Sequence, residues 1–414
     1  MALFDQCAVD RLRAEPLSGL HKGLPADAAG LSVSELADQR RSLLDDGFTG
    51  PMLTIDQAAL RHNITSMADW CSTKGVELAP HGKTTMAPSV FIEQLAAGAW
   101  GISVATVSQA RVCVAFGISP VLIANQVVDE AALRWIGEQV AAGHRILFWV
   151  DSIAGVEIAD RVLRDRDSHI EVEVLVEYGA NGGRAGCRTV DEVTDVAQAA
   201  TASRHLRLAG IAGYEGVLPA ERIDAYLQAM ADVATDLAAT GVFDHLDRVI
   251  LTAGGSSWFD RVAAILTTAP LPARVILRSG CYVTHDDGVY ADSTPSLRSD
   301  DAPRLRPALR IWGQVSSRPE PDLLLVTLGR RDTSYDDRLP IPLTVRSRAG
   351  GRLHPFTARV TALNDQHAYL SGGAADVGDW ISFGISHPCT ALERWRVIPL
   401  LEDGIVVDLA HTFF

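Results

Sequence analysis

The chain has 414 residues, 47% of them apolar and 21% charged, which fits a soluble globular protein with one large domain and a smaller one. A formal net charge of -14 and an isoelectric point near 5.3 speak against nucleic acid or an anionic membrane as a partner. Met1-Ala-Leu-Phe-Asp-Gln-Cys7 lacks a basic segment leading into an apolar core, no apolar run approaches the roughly 20 residues that span a bilayer, and the six cysteines show no Cys-x-x-Cys spacing, so free thiols in a reducing cytoplasm are expected, with Cys389, set in a His-x-Cys pair, the exception.

Residues 1–50 read as a polar, helical leader that packs on the main body. Met52-Leu-Thr-Ile-Asp56 is strand-like, with Asp56 suited to cap the amphipathic stretch that follows. A rhythm then sets in over residues 51–298. Strand-like runs cover 76–83, 101–107, 120–126, 145–151, 171–178, 206–214, 249–257 and 275–280, and Ala-rich amphipathic segments such as 89–97, 129–142 and 220–239 alternate with them. Eight such units predict a (β/α)8 barrel of the TIM type, although an open doubly wound sheet has the same periodicity. From 299 to 414 the helical period disappears. Runs at 306–317, 323–328, 343–348, 357–370, 380–385 and 397–408 are split by Gly-Gly turns, which predicts a separate antiparallel β domain.

In a barrel, ligands sit at the C-terminal ends of the strands. The first strand ends in Pro80-His-Gly-Lys83, where Gly82 leaves room for a ligand and Glu77 is the only acid nearby. A solvated surface lysine is the plain reading of Lys83. The sharper one is an amine that forms a Schiff base with a carbonyl cofactor. The seventh strand ends in Thr252-Ala-Gly-Gly-Ser-Ser257, small residues whose amides can close on a phosphate, and the eighth ends in Arg278-Ser-Gly-Cys-Tyr282. Lysine and phosphate cup together suggest pyridoxal 5'-phosphate. Arg184 after the fifth strand and Tyr214 after the sixth offer a cation and a phenol to its ring; a loop ion pair and a core tyrosine are the alternatives. In the β domain, Ser386-His387-Pro-Cys389 read as an extended segment puts imidazole and thiol on one face. That pair suits zinc over magnesium or calcium, and an incidental pair is the alternative. His367 reads either as a turn residue or as a further active-site group.

Taken together, these stretches resemble the fold-type III pyridoxal-phosphate enzymes of the D-threonine aldolase / D-serine dehydratase family, over roughly residues 50 to 414. The resemblance rests on Pro80-His-Gly-Lys83-Thr, Gly101-Ile-Ser-Val-Ala-Thr106, Gly183-Arg-Ala-Gly186, Gly213-Tyr-Glu-Gly216, Ala253-Gly-Gly-Ser256, Ser279-Gly-Cys-Tyr282, Asn364-Asp-Gln-His367 and Ser386-His-Pro-Cys389-Thr. It implies an alanine racemase-like barrel with a C-terminal β domain, assembled as a homodimer. Lys83 is implied as the Schiff-base lysine, Arg184 and Tyr214 as ring contacts, Gly254, Gly255, Ser256, Gly280 and Tyr282 as phosphate and ring surroundings, and His387 and Cys389 as ligands of zinc or another divalent metal. Thr84-Thr85 and Gly-Gly-Ser-Ser depart from the commonest family pattern. His-x-Cys, where aldolase-type members carry His-x-Asp, implies a dehydratase that converts a small D-β-hydroxy amino acid such as D-serine to a keto acid and ammonia. Retro-aldol cleavage to glycine and an aldehyde, amino acid racemisation, and a non-catalytic cofactor carrier are the rival readings.

Overall fold

The computed structural model describes residues 3–164 and 170–414. Eight parallel strands, Glu77–Leu78, Ile102–Val104, Val121–Gln126, Ile146–Val150, Val172–Tyr178, Leu206–Gly213, Val249–Ala253 and Ala273–Leu277, lie side by side in chain order. The eighth pairs with the first, Glu77 opposite Ile276 and Leu78 opposite Leu277. First and second are joined by a parallel bridge between His81 and Ser103, by the Trp100 amide on Leu78 O at 2.7 Å and by the Ser103 amide on Pro80 O at 2.9 Å. The sheet is therefore closed, and the barrel rather than the open sheet is the fold.

Side-chain alternation fills it from both sides. On the fourth strand Ile146, Phe148 and Val150 face the outer helices, whereas Leu147 and Trp149 point inward to join Leu122, Leu175, Ala209, Ile250 and Ile276. Where the sixth and seventh strands approach most closely only glycine fits, since a Cβ on Gly210 would lie 1.9 Å from Ile250 O. The helices start where the sequence offers caps. The Asp56 carboxylate accepts from the Ala59 amide at 2.7 Å, Asp129 does the same for Ala132, and Thr189 forms a capping box with Glu192. Among the described residues no helix is long and apolar enough to cross a membrane.

The second unit is built on one long strand, Leu309–Glu320. Its first half pairs antiparallel with Trp380–Gly384, and its second half with Leu323–Val326. The other edge of that first half pairs with Met52–Asp56, which the sequence pattern places with the barrel segment. That strand lies antiparallel to Leu309–Glu320 and parallel to Val397–Glu402. Burial explains the placement: Met52, Leu53, Thr54 and Ile55 are all buried, so the strand needs cover on both faces. Leu53 and Ile55 enter the main core. Met52 on the opposite face meets Trp312, Trp380 and the leader residues Leu24, Leu36 and Phe48. Among its described residues the leader forms two short helices, Gln6–Ala14 and Val33–Asp38, with a 3-10 turn between them. Its remaining apolar side chains serve as a lid on the outer face of the β sheet.

Candidate active site

The C-terminal mouth of the barrel opens into a cavity of about 180 Å³ lined by residues of both units. Lys83 sits there on the 3-10 turn Gly82–Thr84, directly after the first strand, with its side chain exposed to the cavity. Gly82 does not face the cavity as the sequence suggested. It is buried outward, and a Cβ on it would meet Phe91 Cζ at 2.8 Å and Ile102 Cγ2 at 3.0 Å. The glycine lets the turn pack tightly on the barrel wall and so sets where the lysine emerges.

Arg184, Tyr214, Gly254, Gly255, Ser256, Gly280, His387 and Cys389 line the same cavity. The Arg184 guanidinium lies 5.1 Å from the Tyr214 ring centre. Its loop is held by Arg188, which donates to the carbonyls of Gly183, Arg184, Ala185 and Gly186. Tyr282 departs from the prediction. It is 1% exposed, its hydroxyl accepts from Gln94 Nε2 at 2.8 Å, and it packs outward between the barrel wall and the surrounding helices, without reaching the cavity. Being next to a site residue in a 3-10 turn turns a side chain about a third of the way round the axis, which is what separates Tyr282 from Cys281. His367 is an exposed turn residue.

The His387–Cys389 segment also differs from the extended form expected. His387 takes a left-handed backbone (φ 61°), and Pro388–Leu392 is a short helix. The imidazole and the sulfur converge nonetheless, because the segment is tied to the loop after the eighth strand. One oxygen of the buried Asp286 carboxylate accepts from the amides of Gly288, Tyr290 and Ala291; the other accepts from the His387 amide at 3.0 Å. The Asp287 amide reaches Ile385 O at 3.0 Å. His387 Nδ1 lies 2.5 Å from Asp336 Oδ2. Hydrogen bonding to the Cys389 sulfur, reinforced by Asp336, pushes His387 up to about 9. The Cys389 thiol is held well below its ordinary value, chiefly by a hydrogen bond from Cys281 and then by His387 and Thr84.

Beneath this rim lies a buried charge network. Arg278 is 5% exposed, donates to Thr252 Oγ1 and Gly213 O at 2.7 Å each, and lies 4.8 Å over Trp149. Burial works against its charge, and Glu215 and Glu177 offset that. Glu215, fully buried, accepts from the Gly254 amide at 3.0 Å and the Gly255 amide at 2.7 Å. We expect Glu215→Gln to lower the unfolding free energy by about 1–3 kcal/mol, because an amide NH2 would face a glycine N–H and Arg278 would lose a counter-charge. A urea melt unchanged from the parent would refute this.

Two family descriptions match the chain in the same order as its two units: "Alanine racemase, N-terminal domain" over residues 55–259 and "Putative serine dehydratase domain" over residues 308–401. The chain belongs to the fold-type III pyridoxal-phosphate enzymes. Among similar members of the family is D-threonine aldolase from an Arthrobacter species, 26% identical over 372 residues, covering 87% of this chain and 90% of the relative. D-threo-3-hydroxyaspartate dehydratase from Delftia sp. (strain HT23) is 29% identical over 136 residues, 33% of this chain and 35% of the relative. The crystal structure of D-threonine aldolase from Filomicrobium marinum superposes with a TM-score of 0.74 at 26% identity, covering 88% of this chain and 95% of that one. These relatives are lyases, and this chain is of the pyridoxal-phosphate lyase family.

The residues present fit the family's cofactor. The Lys83 amine has no hydrogen bond or ion pair among the described residues, whereas Lys22 is bound to Asp332 at 3.1 Å and Lys74 to Asp301 at 3.1 Å. His81 Nδ1 and Trp149 Nε1, both on residues lining the cavity, are buried without a partner, an arrangement that costs free energy until a ligand supplies one. His81 is kept neutral by burial and by the neighbouring cations Lys83, Arg278 and Arg184. On the glycine-rich loop, Glu215 already occupies both glycine amides, so the donors left open for a phosphate are the amide and hydroxyl of Ser256. Arg278, Glu215, Asp286 and Cys281 were not picked out as functional from the sequence. A buried arginine at the end of a barrel strand was the one readable sign among them.

Proposed function

We propose that the protein is a pyridoxal-phosphate- and zinc-dependent lyase that converts a small D-β-hydroxy amino acid, D-serine being the simplest, to a keto acid and ammonia. One observation carries the reading: Lys83 from the barrel and the His387–Cys389 pair from the β domain line a single cavity. When bound, the cofactor supplies an electron sink for the pair left on the substrate Cα, and a divalent metal supplies Lewis acidity for the β-hydroxyl. The chain supplies the rest. The Lys83 Nζ takes the Cα proton, as an unpaired amine at the strand mouth is free to do. His387 and Cys389 are the residues to hold the metal, with Asp336 fixing the imidazole through Nδ1 and leaving Nε2 for it. Arg184 at the rim offers a cation to a substrate carboxylate, and neutral His81 leaves the positive charge of the floor to Arg278. The β domain closes the mouth, which limits the water that would compete for the reacting groups.

Retro-aldol cleavage to glycine and an aldehyde is the second reading, favoured by the breadth of the match to D-threonine aldolase. Product analysis separates them. Purified protein given D-serine should release pyruvate and ammonia, and should stop when EDTA is added. Glycine and acetaldehyde from D-threonine, with no pyruvate from D-serine, would replace elimination by the aldolase reading.

A further inference from the structure

We infer that Cys281 is a third protein ligand of the divalent metal, making the set Cys281, His387 and Cys389 with one position open to the cavity. This rests on the proposal that His387 and Cys389 hold a metal. Cys281 follows the eighth barrel strand and Cys389 belongs to the β domain, 108 residues away, yet their sulfurs lie 3.5 Å apart. That separation is far too long for a disulfide, whose S–S bond is about 2.0 Å, and both cysteines are free thiols. It matches two thiolates on one zinc. With Zn–S near 2.3 Å and a tetrahedral angle, the sulfurs of such a pair stand about 3.8 Å apart. Both sulfurs line the cavity, and so does His387.

The surroundings distinguish a ligand from a packing neighbour. Thr84 Oγ1 lies 3.4 Å from Cys389 Sγ and 3.9 Å from Cys281 Sγ, so the pair is addressed by the turn that carries Lys83. Two facing sulfurs with an imidazole form a soft set that selects zinc over magnesium, calcium or manganese. A two-sulfur, one-imidazole set with a free fourth position is also an arrangement that catalytic zinc adopts. Among the described residues Asp336, Asp337 and His387 form the group of three whose ligand atoms all lie within 4.8 Å of one another, a limit that Cys281, His387 and Cys389 do not all meet; the two carboxylates, however, are exposed, line no part of the cavity and approach the imidazole from Nδ1. They orient the histidine, and the metal would draw the imidazole and the two sulfurs together.

Zinc K-edge absorption on the zinc-loaded, cofactor-bound full chain counts sulfur ligands directly and is blind to the cofactor's own absorption. Two sulfurs are expected in the parent and one in Cys281→Ser, with zinc held at least roughly tenfold more weakly in a chelator competition. Cys281→Ala serves equally if the serine variant does not fold, folding being followed by circular dichroism. One sulfur in the parent, unchanged in either variant, overturns the third ligand and leaves the His387–Cys389 pair standing. A parent that binds no zinc through sulfur overturns both.

Discussion

Replacing Lys83 by alanine is expected to remove both the visible absorption of the bound cofactor and turnover, the latter by roughly 10³-fold or more. The size of the effect follows from what else the chain could substitute. It contains three lysines. Lys22 lies 3.7 Å over the Trp395 ring and pairs with Asp332 under the β domain, and Lys74 pairs with Asp301 on the surface. Neither can reach the barrel mouth, so no amine replaces the one lost. Arginine cannot serve, because a guanidinium stays protonated at working pH and is a poor nucleophile. Far-ultraviolet circular dichroism should not change, since the Lys83 side chain projects into the cavity and supports no packing. A variant with the parent's absorption and turnover would remove Lys83 from the mechanism.

The barrel was legible because its signal repeats. Eight apolar runs alternating with amphipathic helices leave few arrangements, and each run ended within a few residues of the observed strand. Lys83, Arg184, Tyr214 and the glycine-rich loop followed from that frame, since a barrel strand's end points to the ligand. Elsewhere the deciding information is long-range. Met52–Asp56 has the pattern of any short buried strand, and only its partners 250 and more residues away, Leu309–Glu320 and Val397–Glu402, place it in the second sheet. Tyr282 and Cys281 are adjacent in sequence, and a 3-10 turn sends one to the core and the other to the cavity. Pairing by sequence spacing found His387 and Cys389 but assumed an extended chain. What brings them together is the Asp286 carboxylate, a loop residue with no local mark of its role.

Cys389→Ala is expected to keep the cofactor's absorption and to lose elimination by roughly 10²- to 10⁴-fold, a barrier increase of about 3–5 kcal/mol. The two readouts separate because the two groups come from different units. Cofactor attachment depends on Lys83, and the Thr84 neighbour of Cys389 does not carry the amine. Departure of the β-hydroxyl in the proposed reaction needs Lewis acidity beside the turn that carries Lys83, and without Cys389 the remaining His387 and Cys281 are too thin a site to hold a soft metal against chelators. Metal content measured by elemental analysis should therefore fall in parallel with pyruvate release, and added zinc should restore little. Cys281 remains in the variant, so residual zinc binding through it and His387 would show as a weak, chelator-labile fraction. If Cys389→Ala turned over D-serine at the parent's rate, the sulfur would have no part in the chemistry. The short Asp336–His387 contact would then stand as the remaining feature for the β domain's contribution to explain.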